Sequence, residues 1–209
     1  MKTIIIANGE IKDYDFARLI LADCDYLLAC DGGLTHCHKL RVAPDYIIGD
    51  LDSAPKDLLD RYQHVPVLRF SCEKDQTDLE LAVAFACEKG ADDIVILGGL
   101  GGRFDHQLAN AHVLAQAVER GINAELCDEY TRVRLIKSSC RLHKRDGILV
   151  TLVPLTTTVK GVVTEGLQYP LEDESLSIGF ARGVSNQIVD EWAVVSIKSG
   201  LLFVIQIRI

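Results

Sequence analysis

In the first half of the chain the apolar residues come in short blocks. Residues 4–7, 26–30, 46–48 and 94–97 are runs of Ile, Leu, Val, Ala, Tyr and Cys that end against Gly, Asn or Asp. Parallel strands buried on both faces read this way. Between them the spacing becomes helical. Residues 77–89 open at Thr77, a capping residue, and carry Leu79, Ala82, Val83 and Ala86 on one face. Residues 105–120 carry Leu108, Ala111, Ala115 and Val118 before Gly121 stops the run. Strand and helix alternating over about 125 residues predict an α/β fold, a parallel sheet with helices on both faces.

The pattern changes near residues 129–131, after a short apolar run at 124–127. From there the blocks read as strands divided by turns, at 133–136, 148–153, 159–163, 175–178, 193–197 and 201–207. Lys198-Ser199-Gly200 reads as a hairpin turn joining the last two. No helical period follows Gly121, so the remainder predicts a smaller all-β sandwich or barrel. The expected division is an α/β domain over residues 1–130 and a β domain over residues 131–209, packed directly with no long linker.

Composition narrows the function classes. With 209 residues, 48% hydrophobic and 25% charged, the chain can bury a substantial core. Its formal charge of -8 disfavours nonspecific nucleic-acid binding, which needs a basic surface. No run approaches the ~20 apolar residues of a membrane span, and the amino-terminal apolar run is too short for a signal peptide. Cytoplasmic localisation is the expectation. Seven cysteines, at 24, 30, 37, 72, 87, 127 and 140, are odd in number and contain no Cys-x-x-Cys pair, which speaks for buried thiols over a disulfide framework. His36-Cys37-His38 is a local cluster, but three adjacent helical residues point in three directions and do not make a metal site.

Four acid-and-glycine stations carry the candidate chemistry. Asp31-Gly32-Gly33 follows a strand, where an acid and a tight turn can serve a ligand or simply cap a helix. Asp50 and Asp52, in Gly49-Asp50-Leu51-Asp52-Ser53, stand two apart after another strand. If the chain stays extended their carboxylates share one side and can share a divalent metal, with Ser53 as hydroxyl donor or cap. Lys74-Asp75-Gln76-Thr77-Asp78 starts a helix. Asp78 in its first turn can join that metal site, and Lys74 can meet a phosphate. Gly98-Gly99-Leu100-Gly101-Gly102-Arg103 lies between a strand and the helix bearing Asp105 and His106. Consecutive glycines there expose backbone N–H groups beside a helix N-terminus, a phosphate-binding arrangement to which Arg103 adds a fork of donors. Neither the Walker pattern nor the dinucleotide fingerprint is present.

Taken together and in this order, the stations resemble thiamine pyrophosphokinases. The similarity extends to Thr164-Glu165-Gly166-Leu167-Gln168-Tyr169-Pro170-Leu171, Gly183-Val184-Ser185-Asn186 and Lys198-Ser199-Gly200-Leu201-Leu202, and so covers nearly the whole chain. It departs at Leu34 and Thr35, where Ala and Asn are common in the family. The resemblance implies a homodimer that binds ATP and Mg2+ on the first domain and thiamine in a cleft between that domain and the partner's second. Carried over by position, Asp50, Asp52 and Asp78 would hold Mg2+. Asp31, Gly32, Gly33, Ser53, Lys74, Gly99, Arg103, Asp105 and His106 would lie on the ATP side. Tyr169, Ser185 and Asn186 would face thiamine, and an aromatic face at Tyr169 suits a cationic thiazolium.

The implied reaction is in-line attack by the thiamine hydroxyl on the β-phosphorus of ATP, releasing AMP. Asp50, Asp52, Asp78 and Arg103 are the expected catalytic set, and either Asp78 or Asp52 would accept the hydroxyl proton. The same aspartates would also serve a metal-dependent nucleotidyltransferase or nucleotide hydrolase. A nucleotide- or thiamine-binding sensor would not need so many carboxylates.

Overall fold

Strand β1 (Lys2–Ile6) is buried from Thr3 onward and pairs in parallel with β2 (Tyr26–Cys30) on one side and β5 (Asp93–Leu97) on the other. Strands β3 (Tyr46–Gly49) and β4 (Val67–Arg69) continue past β2, and β6 (Asn123–Cys127) flanks β5. The parallel order is therefore β4-β3-β2-β1-β5-β6. The chain runs outward from β1 in one direction and then returns to run outward in the other, which opens a crevice at the carboxyl ends of β1 and β5. The computed structural model describes residues 1–70 and 75–209, in two units, Met1–Glu129 and Tyr130–Ile209. Cys72 and Lys74 lie outside the described residues.

Strand periodicity explains how both faces of this sheet are covered. Ile4, Ile6, Leu27, Ala29, Ile47, Val95 and Leu97 form one core with Ala17 of α1 (Tyr14–Leu21), Leu34, Cys37 and Leu40 of α2 (Leu34–Leu40) and Leu58 of α3 (Lys56–Arg61). Ile5, Leu28, Ile48 and Ile96 alternate to the opposite face and are fully buried. On that side α4 (Asp78–Glu88) lies against β1, β2 and β3, and α5 (Phe104–Glu119) lies against α4 and β6. Thr77 caps α4 through a reciprocal pair: its hydroxyl accepts from the Glu80 N–H, and the Glu80 carboxylate accepts from the Thr77 N–H. Such a cap contributes about 1 kcal/mol and fixes where the helix, and with it Asp78, begins. Leu108, expected on the buried stripe of α5, is instead 48% exposed. Burial on α5 starts only at Leu114, because the first turns of the helix run along the crevice and not over the sheet.

The second unit is a sandwich of two antiparallel sheets. One is ordered β12-β9-β14-β7, from β7 (Thr131–Ile136), β9 (Ile148–Pro154), β12 (Asn186–Gln187) and β14 (Leu202–Arg208). The other is ordered β11-β10-β13-β8, from β8 (Ser139–His143), β10 (Thr158–Glu165), β11 (Glu174–Ser177) and β13 (Trp192–Ser196). Val150, Leu152, Leu202 and Val204 from the first sheet and Leu142, Val159, Val162 and Val195 from the second fill a single core. Strands β8 and β12 have no counterpart among the sequence blocks. The Lys198-Ser199-Gly200 segment is not a hairpin: β13 pairs with β8 and β10, whereas β14 pairs with β7 and β9. The turn crosses from one sheet to the other. Gly200, at φ +96, brings its Cα so close to Thr156 and Thr158 that a Cβ would stand 2.7 Å from the Thr156 hydroxyl oxygen. No helix among the described residues is long and apolar enough to cross a membrane.

Candidate functional site

The strand ends and helix starts of the first unit converge on a cleft of about 670 Å3. Asn8 and Gly9 enter it after β1, Asp31 after β2, Asp50, Asp52 and Ser53 after β3, and Gly98 and Gly101 after β5. Thr77 and Asp78 bring the N-terminus of α4, and Arg103, Asp105, His106 and Asn110 bring that of α5. Two helix N-termini and two glycines of the 98–102 loop thus line the same space as five aspartates, the combination of a phosphate site with a cation site.

Within the cleft, Asp31, Asp50 and Asp78 each turn a carboxylate oxygen toward one point, all within 4.8 Å of one another. Asp31 is the most enclosed, at 7% exposure, and its Oδ1 is buried with no hydrogen-bond partner. Burial pushes the Asp31 carboxyl above the ordinary carboxylate range. The Ser53 hydroxyl and the Gly32 N–H work against that rise, and the charges of Asp78 and Asp52 add to it. Like charges gathered around an unpaired buried oxygen need a cation to balance them, and an all-oxygen donor set suits a hard divalent ion such as Mg2+.

Asp52 is not one of this group. The expectation that Asp50 and Asp52 project to one side rested on an extended chain, and Leu51 breaks it. Its backbone is left-handed, at φ +67, and its side chain is buried in the core beneath. A left-handed non-glycine residue costs roughly 1–2 kcal/mol, which burying a leucine side chain offsets with about 1.5–3 kcal/mol. The turn sends the Asp50 carboxylate toward Asp31 and Asp78 and leaves Asp52 exposed at the cleft. The Asp52 N–H donates back to Asp50 Oδ1 at 3.1 Å, and the Ser53 hydroxyl donates to Asp52 Oδ1 at 2.9 Å.

The predicted glycines divide by role. Gly98 and Gly101 line the cleft. Gly32, Gly33 and Gly99 do their work behind it, where a Cβ would stand 2.0 Å from Asn8 Oδ1, 2.1 Å from the Ile6 carbonyl oxygen and 2.4 Å from Leu126 Cδ2, respectively. The Arg103 guanidinium is held by Asp105 through Nε at 3.1 Å and Nη2 at 2.5 Å. That partnership holds the Asp105 carboxyl below its ordinary range, and Asp105 also accepts from the His106 N–H. Asn8, Gly9 and Asn110 line the cleft without having been among the expected site residues. Asn8-Gly9 follows a buried strand as the other stations do, and that was its signal. Asn110, one turn past His106, donates its amide to the Gly99 carbonyl at 2.9 Å and ties the glycine loop to α5.

In the second unit Tyr169 is 65% exposed, and its backbone is clasped at both ends by one side chain. Asn186 Oδ1 accepts from the Tyr169 N–H at 3.1 Å, and Asn186 Nδ2 donates to the Tyr169 carbonyl at 2.7 Å. Asn186 is itself buried, so it braces Tyr169 rather than facing solvent. Ser185, in a left-handed turn at φ +60, donates its N–H to the Thr151 hydroxyl.

Comparison with known proteins matches both units. The model for the thiamin pyrophosphokinase catalytic domain fits residues 17–126, and that for the thiamin pyrophosphokinase vitamin B1 binding domain fits residues 139–202. Thiamine pyrophosphokinase of Bacillus subtilis (strain 168) is 29% identical over 211 residues, covering 99% of each chain. Thiamine pyrophosphokinase 3 of Oryza sativa subsp. japonica is 32% identical over 183 residues, covering 81% of this chain and 68% of the relative. In fold, the crystal structure of thiamine pyrophosphokinase from Bacillus subtilis superposes with a TM-score of 0.89 at 24% identity, covering 100% of both chains. With the catalytic model alone spanning more than half of its residues, this chain belongs to the thiamine pyrophosphokinase family.

Proposed function

We propose that the cleft of the first unit carries out the family's reaction, moving the pyrophosphoryl group of ATP to the hydroxyl of thiamine and releasing AMP. The observation that carries the site assignment is the buried, partnerless Oδ1 of Asp31 within a group of three carboxylates. Asp31, Asp50 and Asp78 are the residues we assign to Mg2+, with Asp31 in the place the sequence reading gave to Asp52. Bound there, the ion would neutralise the carboxylates together with the phosphate charge.

The chain's own groups account for the remaining requirements of an in-line transfer, which are positioning and charge neutralisation. Backbone amides of residues 98–102 and the N-terminus of α5 receive the phosphates, and Arg103, oriented by Asp105, offers its remaining N–H donors to them. Asp52 is the acceptor we assign for the thiamine hydroxyl proton. It lines the cleft and stands outside the group of three carboxylates that we assign to the ion, which leaves it for proton transfer. Tyr169 presents the ring face for the cationic thiazolium, with Ser185 beside it and Asn186 as its brace.

The proposal includes a cytoplasmic homodimer in which the second unit of one subunit serves the first unit of the other. Exposed apolar side chains on each unit support a partner surface, Phe104 and Leu108 on α5 and Ile178, Phe180 and Val184 on the second unit. Cys37 and Cys127, packed in the core as small apolar residues, accord with a reducing compartment.

Incubating the purified protein with ATP, Mg2+ and thiamine and following the products by phosphorus NMR tests the reaction. Thiamine diphosphate with AMP is the expected outcome. Thiamine monophosphate with ADP, release of pyrophosphate, or nucleotide breakdown that ignores thiamine would each overturn it.

A further inference from the structure

His36 lies outside the cleft wall, yet it is buried and both of its ring nitrogens are engaged. Nε2 stands 2.9 Å from the carbonyl oxygen of Gly9, and Nδ1 stands 2.7 Å from the hydroxyl of Tyr14. A carbonyl only accepts, so Nε2 carries the proton. In a neutral imidazole Nδ1 is then bare and accepts from Tyr14. The Gly9 carbonyl thus fixes the tautomer, and the Tyr14 hydroxyl, able to donate, answers the bare Nδ1 and seats the ring.

Gly9 needs to be held. It meets the glycine loop backbone against backbone: its N–H donates to the Gly98 carbonyl at 2.9 Å, and a Cβ at residue 9 would lie 2.3 Å from that oxygen and 2.7 Å from the Gly101 carbonyl oxygen. From the other side, a Cβ at Gly101 would fall 2.6 Å from both the N and the O of Glu10. This fit requires glycine, and glycine leaves the peptide that follows it free to rotate. Because the peptide is planar and trans, fixing the Gly9 carbonyl toward His36 fixes the Glu10 N–H on the opposite side. Rotation of that peptide would displace the Glu10 backbone atoms against which Gly101 packs.

We propose that His36, set by Tyr14, is a positioning residue that pins the Gly9–Glu10 peptide and through it holds the 98–101 backbone in its phosphate-receiving shape. This rests on the reading of residues 98–102 as the phosphate loop. The imidazole touches no substrate and acts only through this backbone contact.

The test uses His36→Leu, which keeps bulk without a donor, and Tyr14→Phe, which leaves Nδ1 without its donor and the ring without its seat. It also uses His36→Gln, whose amide can donate to Gly9. Hydrogen exchange at the amides of residues 98–102 is read without substrate, beside separate KM values for ATP and thiamine. His36→Leu and Tyr14→Phe are expected to speed exchange at residues 98–102 and to raise the KM for ATP about three- to tenfold, the range for one lost hydrogen bond. The KM for thiamine should stay unchanged, and His36→Gln should restore both readouts. Unaltered exchange in the milder Tyr14→Phe variant, or a turnover that falls only with the folded fraction while both KM values hold, would overturn the assignment. A wild-type protein that makes no thiamine diphosphate would count against the reaction, and the exchange measurement would still decide the role of His36.

Discussion

Asp31 and Asp78 face one another across a residue that has no side chain. A Cβ placed on Gly49, at φ +145, would stand 3.1 Å from Cγ of Asp78 and 3.2 Å from Cβ of Asp31. The closeness of the carboxylates thus depends on a missing methyl group as much as on the acids themselves. Gly49→Ala is expected to force the two acids apart by a few tenths of an ångström and to strain the backbone at this positive φ. The Mg2+ concentration for half-maximal turnover should then rise about tenfold or more, as when the supports of metal ligands are altered. A magnesium titration of the variant's activity checks this, and an unchanged midpoint would show that the carboxylates do not act through a shared ion.

The enclosed position of Asp31 makes a stability prediction with an unusual sign. Its carboxylate is raised chiefly by burial and further by Asp78 and Asp52, so in metal-free buffer its charge works against the fold. Asn is nearly isosteric and tolerates the left-handed backbone at this position, φ +47. Asp31→Asn should therefore raise the first unfolding transition in the absence of Mg2+ by about 2–4 °C, on the order of 1 kcal/mol for a chain of this size. Saturating Mg2+ should reverse the order, because only the wild type gains binding energy from the ion. Calorimetry of both proteins with and without Mg2+ reads the crossing directly, and a variant less stable in both buffers would contradict it.

Asp52 and the group of three separate cleanly by mutation. Asp52→Asn should lower kcat by about 100-fold or more, the usual contribution of a proton acceptor, while binding of ATP and Mg2+ stays near the wild-type level. Asp50→Asn and Asp78→Asn should lose the ion itself. Isothermal titration of Mg2+ and ATP against the three variants, set beside their turnover, distinguishes the roles. Loss of Mg2+ binding in Asp52→Asn would return that residue to the metal.

How far the chain could be read ahead of its structure depended on what each feature needs. Block periodicity located β1, β2, β3 and β5 because strands buried on both faces have few other compositions, while β6 showed only as a short apolar run. The acids were visible because four stations each end a strand or start a helix. That Asp50 and Asp78 meet was legible too, whereas the place of Asp31 in the group and the exclusion of Asp52 were not, since they turn on the left-handed Leu51, a leucine that periodicity treats as one more apolar residue. The crossing of Lys198-Ser199-Gly200 between sheets was hidden for a similar reason: a turn sequence specifies the bend and not the partners of the strands it joins. Asn8, Asn110 and His36 act through backbone carbonyls or backbone packing from distant parts of the chain, and no local spacing encodes such contacts.

His36 adds a pH dependence whose direction follows from its surroundings. Burial lowers its pKa below the ordinary histidine value of 6.5, the Gly9 carbonyl partly opposes this, and the Lys39 charge adds to it. The Tyr14 hydroxyl faces the ring as well, with the Lys39 ammonium 5.6 Å from the centre of the Tyr14 ring. Well above pH 6.5 the imidazole is neutral in both the folded and unfolded chains and contributes no slope. As the pH falls through about 6.5 the unfolded chain takes up a proton that the folded one resists, so the native state loses stability toward lower pH until the folded pKa is passed. His36→Gln removes this proton uptake while keeping a donor to Gly9. The difference in urea midpoint between the wild type and His36→Gln should therefore be constant above neutrality and shift in favour of the variant between about pH 6.5 and pH 5. Taking the difference cancels the titration of carboxylates and exposed histidines common to both proteins. A difference that stays flat across that range, or moves in favour of the wild type on acidification, would mean that the buried imidazole already carries its second proton near neutrality.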